Sequence, residues 1–139
     1  MTARPEVDAL AARIHQTAVD HGFWDKDRNL GEMLMLVCSE LAECLEEDRE
    51  RRAHVWFRHK DDCVHEPLNS LQDLIGPARE GCTCNPKPEG ALVEVADAII
   101  RLFDTGHDMA SKTRFTLSQV MLIKMDYNDT RSRMHGKAY

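Results

Sequence analysis

Carboxylates recur every three or four residues on two stretches of this chain, and no other feature limits so narrowly what the chain can become. The first stretch, 31–50, reads GEMLMLVCSELAECLEEDRE, and the second, 89–104, reads EGALVEVADAIIRLFD. Both carry the apolar spacing of helices. At 100° per residue, Glu40, Glu43 and Glu47 fall within an arc of about 60°, and Glu94 and Asp97 are about 60° apart. Two such helices packed side by side bring four acidic groups to one place. Like charges at that range repel, so the arrangement persists only with a cation among them. A hard divalent ion, which prefers oxygen ligands, is the natural candidate.

Acidic pairs of this spacing also decorate ordinary solvated helices, so their surroundings matter. On the helical wheel Glu40 is flanked by Met33, Leu36, Val37 and Cys44, at the edge of an apolar face. The second helix is apolar almost all round, through Leu92, Val95, Ala96, Ile99, Ile100, Leu102 and Phe103. Its one polar stripe is Glu94, Asp97, Arg101 and Asp104, which reads either as an exposed edge or as the wall of a site. Two acid pairs of matching spacing favour the site.

The halves Ser39-Glu40-Leu41-Ala42-Glu43 and Glu94-Val95-Ala96-Asp97 resemble the E-x-x-E and E-x-x-D signature of the MazG-like, all-α nucleoside triphosphate pyrophosphohydrolases. The likeness extends from Gly22-Phe23-Trp24 through Gly31-Glu32-Met33-Leu34. It continues to Lys124-x-x-Tyr127-Asn128-x-x-Arg131 and His135-Gly136-Lys137, a tail similar to that of the short phage and bacterial members. It leaves out about 55–88. Ser39 stands where the family often has a first Glu, and the two halves are separated by the 50 residues 44–93, longer than usual. The resemblance implies an all-α, four-helix-bundle-like fold in a single domain, 1–139, with an insertion at about 53–88. It implies Mg²⁺, with Mn²⁺ as an alternative, held by Glu40, Glu43, Glu94 and Asp97. Glu40 or Glu43 would also orient or deprotonate water. Lys124, Asn128 and Arg131 share one helix face and become phosphate contacts, and Trp24 and Tyr127 the nucleobase pocket.

Charge bears on partners. A net charge of −6 over 139 residues argues against a nucleic-acid binder, which needs a basic face. Small anions remain compatible, because a metal supplies positive charge. No run approaches the roughly 20 apolar residues of a membrane span and no signal-peptide pattern opens the chain, so a cytoplasmic protein is expected. Five cysteines, an odd number, suit reduced thiols or metal ligation better than a disulfide framework.

The remaining segments read as follows. Pro5, Val7, Leu10, Ala11 and Ile14 predict a helix over 5–21, stopped by Gly22. Asn29 suits the N-cap of the next helix, expected over about 30–52. There Glu47 matches the phase of Glu40 and could reach the metals directly or through water. In the insertion, Cys63-x-His65 and Cys82-x-Cys84 could hold a tetrahedral Zn²⁺, or could be free thiols, or serve a redox or inter-subunit role. Trp56 and Phe57 are expected to tuck this segment against the bundle. Thr105-Gly106-His107 reads as a break, and 115–134 as a last helix with Phe115, Leu117, Val120, Met121 and Ile123 inward. Cys38 and Cys44 read as packing.

The function expected is metal-dependent hydrolysis of (deoxy)nucleoside triphosphates to monophosphate and pyrophosphate, as nucleotide-pool housekeeping, by a homodimer or homotetramer. The alternatives are a non-enzymatic helical interaction module and a zinc-stabilised regulator built on the Cys/His insertion. A dimetal redox carboxylate protein would want Glu-x-x-His pairs, which neither acidic helix has.

Overall fold

The computed structural model describes residues 4–58, 60 and 86–132. Among them the chain is mostly helical. Helix α1 is Pro5–Asp20, α2 is Leu30–Arg49, α3 is Ala91–Ser111 and α4 is Leu117–Asp129; strands β1, Trp56–Arg58, and β2, Lys87–Glu89, form an antiparallel pair. Two compact units emerge, one from 1–33 and 100–139, the other from 34–99, so both α2 and α3 contribute to each.

Local chemistry sets the helix ends. Pro5 occupies the first turn of α1, where its missing N–H costs nothing. Gly22, at φ +78°, lets the Phe23 and Gly22 amides turn back to the Ala18 and Val19 carbonyls, a Schellman stop. Asn29 Oδ1 accepts from the Glu32 amide at 2.9 Å and opens α2. At its far end Arg51 takes φ +54° while the Arg52 amide reaches the Glu47 carbonyl, so α2 stops at Arg49, short of the expected 52. Thr116 and Gln119 form a reciprocal capping box, which starts α4 at Leu117.

In the first unit Asp8 of α1 grips the start of α4. Its carboxylate accepts from the Ser118 amide at 3.0 Å and the Ser118 hydroxyl at 2.6 Å, and Ser118 is 1% exposed. In two places this unit differs from what the sequence predicts. Thr105-Gly106-His107 does not break the chain, because α3 runs on to Ser111. Gly106 is small for packing: a Cβ there would lie 3.1 Å from both Leu117 methyl groups. The last helix also departs from expectation. Phe115, Val120, Met121 and Ile123 are exposed, not inward, and only Ser118 is fully covered. The hydrogen bonds that tie α4 to α1 are made at its first turn, where Ser118 meets Asp8.

Among its described residues the second unit buries Val37, Phe57 and Ala98 together with three carboxylates, Glu40, Glu89 and Glu94. Burying three acids beside three apolar residues is costly unless each finds a partner. Gly90 links β2 to α3 at φ +113°, and a Cβ there would meet the Ala53 and His54 carbonyl oxygens at 2.7 and 2.6 Å. Only glycine fits that junction.

Candidate metal centre

Helix periodicity brings the acids together. On α2 the covered stripe runs Met33, Val37, Glu40, with Cys44 and Glu47 half-covered beyond it, so Glu40 continues an apolar seam inward. On α3 the stripe read from sequence as either an edge or a wall is a wall at Glu94, whose side is covered while Leu92 and Ile99 are exposed. Glu40, Glu43 and Glu94 each offer a carboxylate oxygen within 4.8 Å of the others. An ion with oxygen bonds of about 2.0–2.6 Å spans up to roughly 5 Å between opposite ligands, so that spacing suits Mg²⁺ or a similar hard cation.

Glu94 is 5% exposed and Glu40 7%, whereas Glu43 is exposed and accepts a long hydrogen bond, 3.4 Å, from the Ser39 hydroxyl. No hydrogen-bond donor meets the Glu94 carboxylate among the described residues. Burial pushes its pKa up, and the charges of Glu43, Asp97, Glu40 and Glu89 push the same way. Asp97 therefore lies close enough to act on Glu94, although it is outside the three-carboxylate set.

Glu47 is engaged already: its carboxylate accepts from Trp56 Nε1 at 3.0 Å and pairs with Arg52 at 3.0 Å. That bond anchors Trp56 to α2. Lys124 and Asn128 are exposed on α4, in the first unit, and Arg131 is exposed just beyond it, because α4 ends at Asp129 and not at the expected 134. Lys124 Nζ lies 4.8 Å and the Arg131 guanidinium 5.9 Å from the Tyr127 ring centre. Trp24, in the same unit, donates through Nε1 to Asp104 at 3.0 Å and meets the His15 ring edge-on. Cys63, His65, Cys82 and Cys84 lie outside the described residues. Cys38 is exposed on α2, so packing does not account for it; Cys44 is half-buried.

Two groups escaped the sequence reading. Glu89 belongs to β2 rather than α3, and it holds Arg58 and Lys87. His15 pairs with Asp104 at 2.7 Å and stacks near His107, in a part of α3 that periodicity alone marks only as polar. Compared with protein-family models, curated proteins and solved structures, the chain matches none. No described helix is long and apolar enough to cross a membrane.

Proposed function

We propose that the chain is a metal-dependent nucleoside triphosphate pyrophosphohydrolase, releasing monophosphate and pyrophosphate in cytoplasmic nucleotide housekeeping. The observation that carries this reading is Glu94, a buried carboxylate with no donor among the described residues, facing Glu40 and Glu43. An ionised carboxylate so placed needs a cation, and a donor set of oxygens alone selects a hard one. Mg²⁺ or Mn²⁺ bound there would supply charge neutralisation for phosphate oxygens and acidify a water molecule. Glu40 and Glu94 are the enclosed ligands, and Asp97 extends the set. Glu43, open to solvent, receives the proton of the attacking water as its oxygen bonds to phosphorus and pyrophosphate departs. On the family resemblance, Lys124, Asn128 and Arg131 are assigned to phosphate and Trp24 and Tyr127 to the base.

A homodimer or homotetramer belongs to the same reading. Leu34, Leu41 and Leu45 of α2 and Leu92 and Ile99 of α3 follow heptad-like spacing and are all exposed on the single chain.

The test is pyrophosphate release across canonical and damaged nucleoside triphosphates, with Mg²⁺ and then with EDTA, alongside Glu40→Gln. Metal-dependent release that the substitution abolishes is expected. Silence across the panel, with intact fold, would remove the enzymatic reading.

A further inference from the structure

We infer that Arg58 and Lys87, neighbours across the β1–β2 ladder, form a polyphosphate-binding subsite beside the acidic cluster, with Glu89 as their positioning residue. This rests on the proposed metal centre and adds to it a second, cationic half. The register pairs Trp56 with Glu89, Phe57 with Pro88 and Arg58 with Lys87. Cross-strand partners share a face, so Trp56, Glu89, Arg58 and Lys87 stand on one side and the buried Phe57 on the other.

One carboxylate oxygen organises the pair. Glu89 Oε1 takes Arg58 Nη2 at 3.2 Å and Lys87 Nζ at 3.1 Å, and Glu89 is 5% exposed. Among the described residues, this trio sets two cations against one buried anion, one positive charge more than Glu89 neutralises. Nearby Arg52 contrasts with them, since it pairs with both Glu47 and Glu50. Cations meant only to offset the acidic cluster would be enclosed with it. Instead the Arg58 and Lys87 side chains are 60% and 70% exposed, so donors remain turned to solvent. Arg58 is further fixed over the Trp56 ring, 5.5 Å from its centre, and Trp56 is itself held by Glu47. Guanidinium and ammonium groups fixed this way suit a polyanion with oxygens on several phosphorus atoms. Gly90 joins their strand to the helix of Glu94, and its carbonyl accepts the Glu94 amide at 3.1 Å, so subsite and metal ligands share one rigid junction.

The experiment titrates Mn²⁺, and then inorganic tripolyphosphate with Mn²⁺ present, into the full chain. It compares wild type with R58Q/K87Q and with R13Q/K26Q, a control that removes the same charge from exposed positions of the other unit. A further variant, R58Q/K87Q/E89Q, avoids leaving Glu89 buried and unpaired, should the double variant fold poorly. Expected is unchanged Mn²⁺ affinity with tripolyphosphate binding weakened about 10- to 100-fold in both hairpin variants and little changed in the control. Equal tripolyphosphate affinity in the hairpin variants and the control would overturn the subsite while leaving the metal centre standing. Failure of the wild type to bind Mn²⁺ would overturn the metal centre and the subsite with it.

Discussion

Glu94 is costly to ionise, and that cost has a measurable sign. Burial, and the charges of Glu43, Asp97, Glu40 and Glu89, raise its pKa above the ordinary 4.5. The folded chain therefore binds more protons than the unfolded chain from about pH 4.5 up to the raised value. In that window stability falls as pH rises, and the penalty stays in full above it. Glu94→Gln removes the ionisation. Without metal, the variant is expected to melt higher than wild type at pH 7 and to lose this part of the pH slope. With Mg²⁺, wild type should gain melting temperature and the variant should not. Metal-free Glu94→Gln melting below wild type would count against a carboxylate that meets no donor among the described residues. The spacing of Glu40 with Glu43, and of Glu94 with Asp97, was legible in the sequence; the approach of Glu94 to Glu40 and Glu43 was an expectation that the fold had to supply. The absence of a donor to Glu94 among the described residues was not legible, because a helix face says nothing about what lies opposite it.

Two joints between elements depend on single residues. At the β2–α3 junction Gly90 holds φ +113° against two carbonyl oxygens. Gly90→Ala should destabilise by at least about 2 kcal/mol and weaken metal binding, since Glu94 lies one turn beyond; urea unfolding and Mn²⁺ titration check both. At the α1–α4 joint, burial raises the Asp8 pKa, but the Ser118 hydroxyl and amide and the Thr116 hydroxyl lower it more, leaving it below the ordinary 3.8. The stability it contributes is present above pH 3.8 and lost as pH falls through the lower folded value. Asp8→Ala should cost about 2 kcal/mol at pH 7, read from urea midpoints, and progressively less as pH falls below 3.8. Capping residues such as Asn29 and Thr116 announce themselves in sequence because their partners are three residues away. Asp8 and Ser118 are 110 positions apart, and only folding introduces them.

At the scale of the molecule, the single chain leaves much apolar surface to solvent. Leu41 and Leu45 of α2, Leu92 and Ile99 of α3, and Val120, Ile123 and Met125 of α4 are each more than two-fifths exposed. If copies of the chain cover the α2 and α3 seams, light scattering should give a dimer or tetramer mass, and Leu41→Glu with Ile99→Glu should shift it toward monomer. A wild-type monomer at micromolar concentration would refute the assembly.

Periodicity, capping residues and the spacing of acids are local, and they were enough to place four helices and to nominate Glu40, Glu43 and Glu94. Tertiary structure decided what local rules leave open. It kept α3 continuous through Gly106 because Leu117 packs there, and it withdrew Glu47 to Trp56. It also put Glu89, Arg58 and Lys87 on one face of a hairpin whose strands are 28 residues apart in the chain, from 59 to 86. Burial and long-range pairing are properties of approach in space, and no spacing along the chain encodes them.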